Sequence, residues 1–152
     1  MYNVSSLRFH LNALQINLLI SAISSLLFFT GWWVIADVDV YRIILKNKTY
    51  YVPGIISTFA FLFTNIVPAH YFYDSFTYRH GCFTPAVART YLLMWLMISF
   101  GCLIGSFYIL INDFILDQDK QQWPGYGICL QNCFIFTANM LLRFGKKHDP
   151  FY

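Results

Sequence analysis

Charge is what this sequence has least of. Only 11% of its 152 residues are charged, and glutamate is absent altogether, so every acidic side chain is an aspartate. A soluble domain carries about 25% charge, and a fold this small leaves a large share of its surface against solvent. Water is therefore the wrong solvent for it. A net charge of +3 with scattered Lys and Arg gives no basic stripe, so no nucleic-acid partner is expected. Disorder is excluded by a 58% hydrophobic and 20% aromatic composition, because disordered segments are charge-rich and poor in aromatics.

Reactive constellations are lacking as well. There is no Ser-His-Asp set, no pair of neighbouring carboxylates, no phosphate-binding glycine loop and no metal-ligand spacing. His10, His70, His80 and His148 fall at helix ends or in connecting segments, whereas a bis-histidine haem needs imidazoles facing each other inside a bundle. Cys129 and Cys133 share a helical face, but two thiols without His or carboxylate make a poor metal set. With Cys102 they read as small apolar residues, and Cys82 is a juxtamembrane thiol of the kind that is palmitoylated. The expectation is a protein that is not an enzyme and uses no cofactor and no metal.

What the chain has is long uncharged runs. Between Arg8 and Asp37 lie 28 residues without charge, between Lys48 and Asp74 25, between Arg89 and Asp113 23, and between Lys120 and Arg143 22. At 1.5 Å per residue the shortest run spans roughly 33 Å, enough for a hydrocarbon core of about 30 Å. The spacing predicts an all-α polytopic membrane protein with four transmembrane helices in one bundle, near 16–38, 52–70, 87–111 and 126–142. The roughly ten-residue alternation of a membrane barrel is missing. The first run exceeds the h-region of a signal peptide and no small-x-small cleavage site follows it, so it is read as a retained helix. Pro53-Gly54 and Pro124-Gly125 stand at helix starts, where proline has no hydrogen bond to lose.

Four spans put both termini on one side. That side carries Arg8, Arg79, Arg89, Arg143, Lys146 and Lys147, and the other carries Arg42, Lys46, Lys48 and Lys120. Six basic residues against four make the termini cytoplasmic, because orientation follows Lys and Arg alone. Trp32 and Trp33 then lie at the lumenal interface, where aromatic belts form. Asp37 stands just beyond them, a carboxylate at a helix C-terminus that opposes the macrodipole and calls for a compensating partner, or else an ordinary solvated boundary residue. Asn47-Lys48-Thr49 is a lumenal glycosylation sequon on this topology, with Asn47 the acceptor.

No charge lies near the middle of any run, which speaks against a proton-coupled carrier. The helices contain neutral polar residues instead: Asn17, Ser21, Ser24, Ser25, Asn65, Gln131, Asn132 and Asn139. Such groups form interhelical hydrogen bonds worth about 0.6 kcal/mol on average; the alternative is that they line a path through the bilayer. Gly101-Cys102-Leu103-Ile104-Gly105, with Ser106 beside it, is a GxxxG pattern that lets a neighbouring backbone approach closely. The neighbour belongs either to the same chain or to another subunit.

The ordered motifs resemble the transmembrane protein 50 family, which includes the fungal vacuolar protein sorting 68 proteins. Phe28-Phe29-Thr30-Gly31-Trp32-Trp33 followed by Asp37 is similar to that family's first helix, and Thr58-x-Ala60-Phe61-Leu62-x-x-Asn65 to its second. Asp74-Ser75, Gly81-Cys82 and Ala88-Arg89 resemble its middle loop and third-helix entry, and Phe100-Gly101-x-Leu103-Ile104-x-Ser106 its third helix. Pro124-Gly125, Gln131-Asn132-x-Phe134-Ile135-Phe136, Arg143-Phe144-Gly145 and Asp149 resemble its fourth helix and tail. The N-terminus departs from the animal pattern, which has a cysteine pair after an arginine; here Arg8 is followed by Phe9 and His10.

The resemblance implies a small four-span protein of the endoplasmic reticulum, Golgi or late endosome, without catalytic residues. It further implies a subunit for membrane-protein sorting that pairs with another multispan protein. In the fungal relatives that partner is of the vacuolar protein sorting 55 and leptin-receptor-overlapping-transcript family. The expected contact residues are Gly101, Gly105, Ser106, Gln131, Asn132 and Asn139, with membrane lipid around them. An auxiliary subunit of a larger membrane complex is the alternative, and a small oligomeric channel or transporter comes third.

Overall fold

The computed structural model describes residues 4–40, 48–66, 85–116 and 122–146, with the backbone alone given for 4–13 and 85. The fold is all-α. Helix α1 runs Val4–Val40, a short 3₁₀ turn Lys48–Tyr51 leads into α2 (Val52–Ile66), α3 runs Pro85–Ile109, and α4 runs Trp123–Phe144. All four overlap the uncharged runs. Helix α1 begins well before residue 16, and residues 67–70 of the expected second helix lie outside the described segments.

Two stretches, Leu14–Val40 and Ala86–Ile115, are long and apolar enough to cross a membrane. Helix α4 is long enough, but three amides dilute its apolar character. Helix α3 does not stop at 109. It widens into a π turn over Leu110–Ile115, closed by the Leu116 N–H donating to the Ile111 carbonyl at 3.1 Å. A π turn spends an extra residue per turn and re-aims the side chains after it. Here Leu110 and Phe114 both end up buried.

The distribution of side chains is inverted relative to a water-soluble fold. Buried positions include Ser24, Ser57, Thr64, Ser99, Ser106, Gln131, Asn132 and Asn139, while Leu26, Phe29, Trp33 and Met97 are each 67–78% exposed. Hydroxyls on the outer surface are tucked onto their own helices. Ser25 donates to the Ser21 carbonyl (2.8 Å), Thr30 to Leu26 (2.7 Å) and Thr137 to Cys133 (2.8 Å). A surface that offers bulky hydrocarbon and satisfies its few polar groups internally suits an apolar solvent, where an unpaired donor is costly.

The buried positions recur every seven residues: Ser24, Gly31 and Val38 on α1, Ser57 and Thr64 on α2, Ser99 and Ser106 on α3, Asn132 and Asn139 on α4. A seven-residue repeat is the repeat of helices that wrap left-handedly around one another. Helix α4 is the hub. Helix α1 leans chiefly on it, and α2 and α3 pack both on it and on each other.

Two glycines of α4 permit this. A Cβ on Gly127 would stand 2.5 Å from a methyl of Val38, and one on Gly125 would stand 2.8 Å from both Leu110 and the Phe114 ring. Tyr50, in the turn before α2, lies on Phe114 with ring centroids 5.4 Å apart, so the entry of α2 and the end of α3 meet at one end of the bundle, the turn end. At the opposite end Gly145 packs on Ile20, and α1 continues from that level through residues 19 to 4, roughly 24 Å of further helix.

Gly101 and Gly105 behave differently. A Cβ on either would meet nothing within 4 Å. Among the described residues, the backbone approach expected of the GxxxG pattern does not occur within the chain; close approach falls to the glycines of α4 and to Gly31 and Gly54. In detergent, Gly127→Leu should therefore lower the thermal midpoint by the equivalent of about 1–3 kcal/mol of overpacking. Gly101→Leu should leave it no lower than the parent, and a comparison of melting curves by circular dichroism decides between the two.

Candidate functional site

Two polar layers cross the bundle, one heptad apart. In the layer nearer the turn end, the Ser57 hydroxyl of α2 donates to Oδ1 of Asn132 on α4 at 2.6 Å, and Asn132 Nδ2 donates to the Ile128 carbonyl at 3.0 Å. The Cys102 thiol of α3 lies against Ser57, and Cys129 lies against Ser106. In the second layer Asn139 Nδ2 reaches Thr64 Oγ1 at 3.5 Å, while Thr64 donates to its own helix at the Ala60 carbonyl at 2.6 Å. Both α2–α4 pairs are separated by 75 residues in sequence, so α2 and α4 run parallel.

Gln131, beside Asn132, is 1% exposed, and neither amide atom finds a partner among the described residues. Its side chain occupies the space a Cβ on Gly54 would need, 2.6 Å away. From α1, Trp32 Nε1 donates to Thr58 Oγ1 (3.2 Å), and Phe28 stacks on Phe61 (4.8 Å). Trp32 is thus half-buried between helices, whereas Trp33 points outward. Gln131, Asn132 and Asn139 are all turned into the chain's own bundle and leave no amide on the outer surface of α4.

The outward feature is on α3. At about 100° per residue, Ser99, Cys102 and Ser106 share one side of the helix, and Gly101 and Gly105 lie on its flank, about 110° round from them. The inner side is buried or half-buried, and Ser106 is wholly buried with its hydroxyl on the Leu103 carbonyl at 2.7 Å. On the glycine flank Gly101 is exposed and Gly105 half-buried, and Met97, Ile104 and Tyr108 beside them are exposed.

At the turn end the carboxylate with a partner is Asp39 rather than Asp37. Asp37 is exposed, but Asp39 is half-buried and accepts a hydrogen bond from Tyr51. Burial, the bond to Asp39 and the carboxylate's negative charge together push the Tyr51 phenol up to about 12. Asn47 lies outside the described residues. Among those residues, no group of three or more His, Cys or acidic side chains could hold a metal ion.

Sequence reasoning missed Asp39 because two aspartates two residues apart look alike until the helix phase is known. The heptad spacing of Ser24, Gly31 and Val38 places Val38 inward, so Asp39 flanks the buried side. It missed Gly54 and Gly125 as packing sites because both follow proline and read as helix starts.

A family model described as Uncharacterised protein family (UPF0220) matches residues 2–152. The Transmembrane protein 50 homolog of Dictyostelium discoideum is 31% identical over 146 residues, covering 86% of this chain and 92% of the relative. No solved structure matches.

The Tyr51 shift has a signed consequence. A group whose folded-state pKa lies above its unfolded value of about 10 stabilises the fold fully below pH 10 and loses that contribution as pH rises through the folded value. Melting curves between pH 9 and 12 should fall more steeply for the parent than for Tyr51→Phe, which lacks the titrating hydroxyl. Parallel curves would refute the pairing with Asp39.

Proposed function

Since the chain belongs to the transmembrane protein 50 family, we propose that it is a four-span membrane protein that works without catalysis, as a subunit in endosomal and secretory-pathway protein sorting. All four helices cross the bilayer, with the turn end lumenal and both termini cytoplasmic. The inverted side-chain distribution and the meeting of the α2 entry with the α3 end at one end of the bundle support four spans. The excess of Lys and Arg on the terminal side supports the orientation.

The observation that carries the role is the open glycine face of α3. Glycine in a membrane helix usually marks a place where another backbone comes close, yet among the described residues no helix comes to Gly101 or Gly105. A second multispan protein fits there, its helix laid against the strip between Phe100, Ile104 and Tyr108. The amides are satisfied or enclosed inside the bundle, so the contact rests on shape and van der Waals packing, the main source of helix association in lipid. The family resemblance makes a small four-span protein of the vacuolar protein sorting 55 and leptin-receptor-overlapping-transcript type the partner to look for.

Tagged protein purified in mild detergent from native membranes should retain one small multispan partner, and Gly105→Leu should reduce its recovery several-fold while the melting midpoint stays unchanged. Retention of a single large complex instead would make the chain an auxiliary subunit of that complex. Tags on both ends should be digested by protease added to the cytoplasmic face of intact vesicles; protection of either tag refutes the four-span orientation.

A further inference from the structure

The second polar layer contains three buried polar atoms from three helices with no hydrogen-bond partner among the described residues: Ser24 Oγ on α1, Ser99 Oγ on α3 and Asn139 Oδ1 on α4. Their residues are 0%, 1% and 0% exposed. The register brings them to one level. Gly31 sits on Gln131 and Ile135 while Ile20 meets Gly145, so Ser24 falls between, within about a turn of Asn139 on the antiparallel α4. Phe100 meets Phe136 with ring centroids 5.9 Å apart, which sets Ser99 within about a turn of the same residue. Thr64 completes the layer from α2 through its contact with Asn139.

We propose that this layer is a water-binding site, in which bound water bridges Ser24, Ser99 and Asn139. The chemistry selects the ligand. Asn139 Oδ1 can only accept, whereas each serine hydroxyl can both donate and accept. Water, with two protons and two lone pairs, answers each of the three, and a buried water typically makes about three such bonds. A metal cation would meet three neutral oxygens and no carboxylate among the described residues of this layer, with the cationic Arg143 one turn further along α4, and a bare charge in an apolar interior needs compensation. The Ser57–Asn132 layer serves as a contrast: both ends of the Asn132 amide already have partners within the protein. The site is independent of which partner the glycine face of α3 takes.

The test is water-to-amide magnetisation transfer by solid-state NMR on asparagine-labelled full chain in lipid nanodiscs. The Asn139 side-chain amide should receive magnetisation several-fold faster than that of Asn132, with the exposed Asn112 as positive control. In Ser24→Ala, Ser99→Ala protein the Asn139 transfer should drop to the Asn132 level while Asn112 is unchanged; neither serine has a protein partner among the described residues, and circular dichroism checks that the variant is folded. If Asn139 transfers no faster than Asn132 in the parent chain, the proposal is overturned whether or not the variant folds. An unchanged Asn139 signal in the folded variant also overturns it, as does a melting midpoint that rises with sodium but not with N-methylglucamine, which would mark a cation as the occupant.

Discussion

A hydroxyl on one helix meeting an amide on another, twice, at heptad spacing, is the interaction on which this bundle depends. Ser57 with Asn132 and Thr64 with Asn139 tie α2 to α4 in parallel and fix their register to the residue. In an apolar solvent there is little hydrophobic force to press helices together, so register has to come from polar pairs and from close backbone contact. Both converge on α4, through Asn132 and Asn139 on one side and Gly125 and Gly127 on others. The π turn at the end of α3 belongs to the same system, since it delivers Leu110 and Phe114 to the gap opened by Gly125.

This economy divides the molecule into an occupied inside and an unspecific outside. Among the described residues the amides of α4 are all turned inward, and the outer surface is chiefly hydrocarbon with hydroxyls bonded to their own helices. The strip at Gly101 and Gly105 breaks that pattern by exposing backbone rather than side chain. On the function proposed above, selectivity among partners comes from steric fit along that strip. Fit of this kind is undone by adding bulk and tolerates exchange of one apolar rim residue for another, as volume-conserving swaps are tolerated in cores.

The helices themselves were legible because charge is so costly in an apolar surrounding that its absence marks each described helix. The boundaries were less so. Helix α1 begins near Val4 because helix propensity carries it past the first charge at Arg8, and nothing in an uncharged run records where backbone pairing starts. The direction of each helical face was the real obstacle. Gly101 and Gly105 have the familiar spacing, yet Gly125 and Gly127, two apart and beside a proline, take the close contacts. Only a partner helix tells the two sets apart, and one sequence does not name partners. The seven-residue recurrence of Ser24 with Gly31, Ser57 with Thr64, Ser99 with Ser106 and Asn132 with Asn139 was available in the sequence, and it would have phased all four helices at once.

Helix α1 finds its principal neighbour in α4, the latest of the described helices to be made. Some 82 residues separate Val40 from Trp123, and at about 5–20 residues per second of synthesis the first helix waits roughly 4–16 s for the surface that covers Ser24 and Gly31. During that interval its small, polar seam faces lipid or the insertion machinery, while α2 and α3 are still arriving. The closing of α1 onto the bundle therefore comes late, after α2 and α3 can already have met, and it follows the order in which the ribosome delivers the chain as much as the strength of any contact in it.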